Sequence, residues 1–252
     1  MKKRGLSHIE VILSFIIFIG AVGFALYFFS PTNSSRLVDT SLDYVNREIS
    51  KNITVNLKTY SINVNNSNNQ VNNAGALAVN ISGICENDDG IIMTMNLSGE
   101  VFQSKVGSSD NKCSSSSGDI VYIGNNIWAP EDFVYVKVSE DLNESSNAIG
   151  ASPALNDSFY KLSTVNSEDL FSEKRILHLN KTYHEDYYGL KKQFNLPGRV
   201  NFGFSFSFTT GDEIKVENPI PSGLDVFSKV DRVEVLRKDG KVEYADFTMK
   251  VW

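Results

Sequence analysis

The sequence predicts an α+β protein in which a long N-terminal transmembrane helix precedes a mainly antiparallel, β-sandwich-like head with a small inserted helix. Two observations predict this class. An uncharged apolar run occupies Val11–Phe29, and from Ile53 onward short segments alternate apolar and polar side chains with the period of two that is typical of strands. A series of strands after one long helix leaves two arrangements open for the head, a β-sandwich or a strongly curved sheet.

The first element is the apolar run itself. As a helix its 19 residues would extend about 28 Å, close to the roughly 30 Å hydrocarbon core of a bilayer. Lys2, Lys3 and Arg4 precede it, so the positive-inside rule predicts a cytoplasmic N-terminus and an extracellular head. A secretory signal peptide is disfavoured, because its apolar core would be about 7–15 residues long and a small-residue cleavage site would follow it.

One acid, Glu10, stands at the start of the apolar run, five residues after Gly5. An ionisable group at the edge of a membrane helix is costly and usually has a partner. Together, Lys3-Arg4-Gly5, Leu6 and Glu10 resemble the leader of type IV prepilins, and more closely the class III signal peptides of archaeal pilin-like proteins.

The resemblance implies that a dedicated prepilin-type peptidase cuts between Gly5 and Leu6, which makes residues 1–5 a leader peptide. It also implies that the Glu10 carboxylate pairs with the new terminal amine, usually that of a neighbouring subunit. Residues four apart share a helix face, and a buried acid needs a cation. The chain departs from the bacterial pattern, because Leu6 replaces the common Phe and Tyr27 stands where a helix Pro is often found. An uncleaved signal anchor is the alternative.

The helical period resumes after Pro31 and predicts an amphipathic continuation from about Ser35 to Ser50. Its apolar residues recur at spacings of three or four, at Leu37/Val38, Leu42, Val45 and Ile49. Residues 6–50 are therefore predicted to form the transmembrane and amphipathic helix, and residues 51–252 the β-rich head.

The head begins with a predicted strand at 53–64, which leads into an asparagine-rich loop at 63–73. Residues 76–84 and 91–97 are predicted to form a hairpin. Further strands are predicted at 100–106, 120–123 and 133–138.

The polar segment 139–157 is the candidate for an internal boundary of the head. After it we predict strands at 159–165 and 176–179 and a short helix at 184–194. The last strands are predicted at 200–209, 214–217, 230–236 and 242–251, with a hairpin turn at 238–241.

Four phenylalanines, Phe202, Phe204, Phe206 and Phe208, alternate strictly along one of these strands. Alternation places all four rings on one face, which a sheet must bury. A platform for stacking nucleic-acid bases is the alternative, but strict alternation is more typical of a sheet core.

The charge and the cysteines narrow the function. A net charge of −6 at pH 7, without a basic stripe, disfavours nucleic-acid binding. The two cysteines, Cys85 and Cys113, both follow the membrane segment, where an oxidising exterior favours a disulfide between them; a free buried pair is the alternative. Candidate glycosylation sequons begin at Asn33, Asn52, Asn65, Asn80, Asn96, Asn143, Asn156 and Asn180.

Sequence patterns for catalysis and metal binding are weak. His178 and His184 are six residues apart, which suits no helical pair of zinc ligands, and the acidic turn at 86–90 lacks the spacing of a calcium loop. No Gly-x-Ser-x-Gly motif or phosphate-binding loop occurs. We therefore expect no enzyme activity, no cofactor and no metal.

Taken together, these observations predict a single-pass protein of the cell membrane, with a pilin-like structural role in a cell-surface type IV filament. The expected partners are the membrane, the prepilin-type peptidase and like or related pilin subunits. The alternative is an uncleaved membrane-anchored protein whose head binds a surface, a glycan or another adhesion partner.

Overall fold

The computed structural model describes residues 4–28, 32–65, 70–86, 89–107, 110–114, 117–124, 132–145, 149 and 157–252, and for residues 4–8, 28, 32–39, 70 and 72 it describes the backbone alone. Two long helices open the chain, α1 (Arg4–Phe28) and α2 (Thr32–Ile53). Along α2, Leu42, Val45 and Ile49 are buried, as the amphipathic pattern predicts, although the helix is longer than 35–50 at both ends.

The head contains eleven described strands and three described α-helices. The strands are β1 (Thr54–Val64), β2 (Ala76–Asn80), β3 (Ile91–Asn96), β4 (Val101–Val106), β5 (Ile120–Gly124), β6 (Asp132–Ser139), β7 (Tyr160–Ser172), β8 (Phe202–Phe208), β9 (Glu213–Val216), β10 (Phe227–Leu236) and β11 (Val242–Val251). The helices are α3 (Gln70–Ala74), α4 (Glu173–Glu185) and α5 (Tyr187–Gln193). A 3-10 turn, Asp157–Phe159, precedes β7.

All of these strands belong to one sheet in the order β2-β5-β4-β3-β6-β1-β7-β10-β11-β8-β9. Neighbours are antiparallel except β7 and β10, which run parallel and pair only through Phe171 with Val235 and Ser172 with Leu236. The α+β class is therefore confirmed, and a two-sheet sandwich is not. The short β7–β10 pairing explains why, since it joins two strand groups that would otherwise be separate sheets.

The N-terminal strand group, β2-β5-β4-β3-β6-β1-β7, rolls up on itself. The backbone N–H of Asn80, in β2, donates to the hydroxyl of Tyr160, in β7, at 3.0 Å. In a flat sheet these strands, six places apart, would be separated by about 29 Å. The rolled group encloses one core, to which the following buried residues belong: Tyr60, Ile62, Val64, Leu77, Val79, Ile92, Val106, Val121, Ile123, Val134 and Val136.

The C-terminal group, β10-β11-β8-β9, is covered on one face by helices α2, α4 and α5. The alternating phenylalanines of β8 all lie in this core: Phe202, Phe204, Phe206 and Phe208. The predicted sheet core is therefore confirmed. Phe206 stacks on Phe247 of β11 with ring centroids 4.6 Å apart.

A smaller cluster joins the two groups beneath the β10–β11 turn, which lies at 238–241 as predicted. The Lys137 ammonium donates to the Gly240 carbonyl at 2.6 Å, and burial lowers the pKa of this lysine. Gly240 has a φ of 79°, and a Cβ there would lie 2.6 Å from the sulfur of Met93. Only glycine therefore fits at this position of the turn.

Two predictions are wrong. Residues 176–179 lie in helix α4, where Ser172 accepts from the Arg175 N–H as the N-cap and Ile176, Leu179 and Tyr183 are buried at helical spacing. In addition, 76–84 and 91–97 do not form a hairpin, because β2 pairs with β5 while β3 pairs with β4 and β6.

Two smaller predictions concern loops. Helix α3 occupies part of the segment predicted as the loop 63–73. Most of the predicted boundary at 139–157 lies outside the described residues.

Candidate functional site

Helix α1 exposes an apolar surface that no other part of the described chain covers. Its segment Ile9–Tyr27, 19 residues long, is apolar and long enough to cross a membrane, and none of it is buried against the head. Its large apolar side chains, such as Phe15 and Phe24, are exposed. Water solvates such a surface poorly, so the segment needs lipid or other apolar helices around it.

The predicted processing residues lie at the beginning of this helix. Gly5 and Leu6 belong to its first turn, Arg4 is its first residue, and Lys2 and Lys3 lie outside the described residues. Glu10 follows Leu6 by four positions, so the two occupy one helix face. The Glu10 side chain is exposed and forms no ion pair with any side chain that the structure describes.

Helix α2, which follows α1 in the chain, packs against the head. Its apolar face is buried against the C-terminal sheet, while Asp43 pairs with the Lys229 ammonium at 3.6 Å and the Asn46 amide donates to the Asp231 carboxylate at 3.5 Å. The last residue of α2, Ile53, directly precedes β1. A force applied through α2 would therefore act on both strand groups.

The predicted disulfide is confirmed. Cys85 and Cys113 are bonded across 28 residues, and Cys113 is buried in the N-terminal core. The loop that carries it pairs with the sheet, since the Cys113 N–H donates to the Gly90 carbonyl at 2.7 Å and Lys112 bridges to Ile91. The bond thus holds two surface loops over the rolled sheet.

The sequon residues occupy different environments. Asn65, Asn80 and Asn143 are exposed in loops or at the end of a strand, whereas Asn96 is half-buried. The Asn52 amide donates to a backbone carbonyl within α2. The remaining three are Asn180, whose Oδ1 is buried in α4, Asn33, for which the backbone alone is described, and Asn156, which lies outside the described residues.

An ion-pair network that the sequence did not predict links three distant segments. The Arg175 Nε lies 2.7 Å from the Asp141 carboxylate, a second nitrogen of the same guanidinium donates to the Thr54 carbonyl at 2.6 Å, and a third lies 3.2 Å from Glu140. Asp141 is 8% exposed. Arg175 therefore ties the start of α4 to the beginning of β1 and the end of β6.

Two open cavities lie beside this network. One of about 440 Å³ is lined by Lys58, Glu86 and Glu140, among others, and one of about 330 Å³ by Arg175 and His178 with neighbouring residues. Within the described part of the chain, no three His, Cys, Asp or Glu side chains are grouped so that they could hold a metal ion.

Comparison of the chain with models of protein families, with curated proteins and with solved structures finds no match. The candidate site is the N-terminal helix, with Gly5, Leu6 and Glu10 at its start and α2 as its connection to the head. Its exposed apolar side chains are suited to membrane insertion or to packing against other apolar helices.

Proposed function

We propose that this chain is a pilin-like structural subunit of a cell-surface type IV filament. A prepilin-type peptidase would remove residues 1–5, and the new chain would begin at Leu6. The observation that carries the proposal is the unburied apolar segment Ile9–Tyr27, joined through α2 to a folded β-rich head. Such a helix is held by lipid before assembly and by the helices of other subunits afterwards.

The charges at the start of the chain support one orientation. Lys2, Lys3 and Arg4 remain on the cytoplasmic side under the positive-inside rule, which places the head outside the cell. The bond between Cys85 and Cys113 is consistent with this side, because disulfides persist in oxidising surroundings.

Glu10 would set the contact between subunits. Without a cation, a carboxylate among packed apolar helices loses its hydration and is strongly disfavoured. Cleavage after Gly5 creates one ammonium group per subunit at Leu6. Pairing of this amine with Glu10 of a neighbouring subunit would satisfy both charges and fix the axial register of the helices.

The first experiment determines the N-terminal residue of the protein extracted from its native membrane, by intact mass and by sequencing of the terminal peptide. A chain that begins at Leu6 supports processing and assembly. A chain that begins at Met1 would refute the processing step and favour the second candidate, an uncleaved single-pass protein whose head binds a surface partner.

The second experiment tests the role of Glu10. We expect Glu10→Gln, which removes only the charge, to abolish or strongly reduce surface filaments counted by electron microscopy while membrane insertion is retained. Glu185→Gln is the matched control, because Glu185 is an exposed head carboxylate whose only described ion pair is with Lys181. Equal filament numbers in Glu10→Gln and in the unmodified protein would contradict the assembly role.

A further inference from the structure

A buried lysine in the C-terminal core has no acidic partner among the residues that the structure describes. Lys191, on α5, is 4% exposed, and no carboxylate of the described residues forms an ion pair with it. Its Nζ donates instead to the Gly198 carbonyl at 2.7 Å and to the side-chain Oδ1 of Asn201 at 3.2 Å. A buried ammonium is normally paired with a carboxylate, so this arrangement needs an explanation.

The surroundings of the pair are aromatic. The Lys191 ammonium lies 5.6 Å from the ring centroid of Tyr187, and the buried rings of Phe194 and Phe202 belong to the same core. Burial lowers the pKa of Lys191, which increases the fraction of the neutral, nucleophilic amine. The Tyr187 hydroxyl lies 3.4 Å from Asn201 Oδ1 and 3.5 Å from the Phe202 carbonyl, so its single proton can be donated to either oxygen. Burial raises the pKa of this tyrosine, which favours its protonated form.

We propose that Lys191 and Asn201 become joined by an intramolecular isopeptide bond. The neutral Lys191 amine attacks Cγ of the Asn201 carboxamide and forms a new C–N bond. Negative charge then develops on Oδ1, where the Tyr187 hydroxyl stabilises it by its hydrogen bond. One hydrogen passes from the attacking nitrogen to the original amide nitrogen, the bond from Cγ to that nitrogen breaks, and ammonia leaves as the Oδ1 carbonyl re-forms.

The reaction balances without a further reactant. The neutral Lys191 amine and the Asn201 carboxamide give one secondary amide and one ammonia. The proton that the lysine ammonium releases to solvent before the attack is balanced when the ammonia takes up a proton there and becomes an ammonium ion. Nothing is oxidised or reduced. Tyr187 is the positioning and hydrogen-bonding group, Lys191 the nucleophile and Asn201 the acyl donor.

The bond would strengthen the part of the head that α2 packs against. Asn201 exchanges two backbone hydrogen bonds with Trp252, at 2.8 and 3.0 Å, so it already holds the end of β11 beside the start of β8. A covalent link from Lys191 would add α5 to this assembly. Unfolding by force or by proteases would then have to break a covalent bond, which suits a domain exposed outside the cell.

The test uses the full chain purified in detergent from a host without N-glycosylation. Apart from the two hydrogens lost in the disulfide, we expect its intact mass to be lower than the sequence mass by one ammonia. Trypsin should release a branched peptide that joins residues 182–192 to residues 200–215, because the modified Lys191 is no longer cleaved. The proposal would be overturned if the chain showed no loss of ammonia from its mass and released the two peptides separately. Lys191 would then be a hydrogen-bonded core residue.

Variants identify the reacting groups. In Lys191→Arg and in Asn201→Ala, the intact mass should show no loss of ammonia and the branched peptide should be absent. In Tyr187→Phe, the branched peptide should form more slowly after refolding. Lys192→Arg is the matched control, since this neighbouring lysine is exposed and should leave the link intact. The result on the unmodified chain decides the proposal even if a core variant fails to fold. A branched peptide that persists in Asn201→Ala would also refute the assignment.

Discussion

Removal of the disulfide should destabilise the head substantially. Cys85 and Cys113 close a loop of 28 residues, and the loop entropy that the bond removes from the unfolded chain grows with that length. In the chain-entropy model the bond contributes about 3.6 kcal/mol at 25 °C. Alanine is the appropriate replacement, because Cys113 is fully buried and a serine hydroxyl would add the cost of an unpaired polar group.

The double variant Cys85→Ala, Cys113→Ala should therefore lose about 3–4 kcal/mol of unfolding free energy. For a head of this size, such a loss corresponds to a decrease of about 6–16 °C in Tm. Chemical denaturation followed by circular dichroism measures the free energy, and calorimetry measures the Tm.

The matched control is the unmodified protein with its disulfide reduced, since both cysteine side chains are then still present. If the reduced protein and the double variant lose similar free energies, the bond itself is responsible. A loss below about 1 kcal/mol in both would contradict the loop-entropy reasoning. It would mean that the contacts of Gly90 and Lys112 hold the loops equally well without the bond.

Two further predictions concern the C-terminal core and Glu217, which directly follows the edge strand β9. Phe206→Ala should lower the unfolding free energy, measured by chemical denaturation, by about 3–5 kcal/mol, because the ring is completely buried. The control Phe133→Ala removes an exposed ring and should lower it far less. Equal losses in the two variants would contradict the assigned core. Hydrogen bonds from Lys215 and Lys250 hold the pKa of Glu217 below its ordinary value of 4.5. The Glu217 carboxylate therefore stabilises the folded state fully above pH 4.5, and this stabilisation is lost as the pH falls through the lowered pKa. In Glu217→Gln, the unfolding free energy should therefore decrease less steeply as the pH falls below about 4.5 than it does in the unmodified protein. An equally steep decrease would refute this role of Glu217.

Local periodicity predicted much of the architecture. The apolar N-terminal helix, the amphipathic helix, most strands and the aromatic face of β8 all follow from patterns within about twenty neighbouring residues. The segment 176–179 was misassigned because four apolar-rich residues fit a strand as well as a helix. The N-cap Ser172 and the buried Tyr183 show that the longer helical spacing prevails.

Strand order could not be predicted in the same way. The pairing of β2 with β5 instead of β3 depends on which edges meet after the chain has rolled up, and so does the contact between Asn80 and Tyr160. The Arg175 contacts with Asp141 and Thr54 join residues 34 and 121 positions apart. No local pattern encodes a pairing over such distances.

The sequence by itself determined where the chain can enter a membrane, which residues resemble a processing site, which faces of its helices and strands are apolar, and that two cysteines were available to pair. These properties depend on the identity and spacing of neighbouring residues, which act through solvation and helix or strand geometry. The tertiary structure alone decided that the strands form one sheet whose N-terminal group rolls up, and that α2 packs against the C-terminal group. It also decided that Lys191 is buried against Asn201. Those outcomes arise from contacts between residues far apart in sequence, whose energies exist only once the chain has closed the intervening loops.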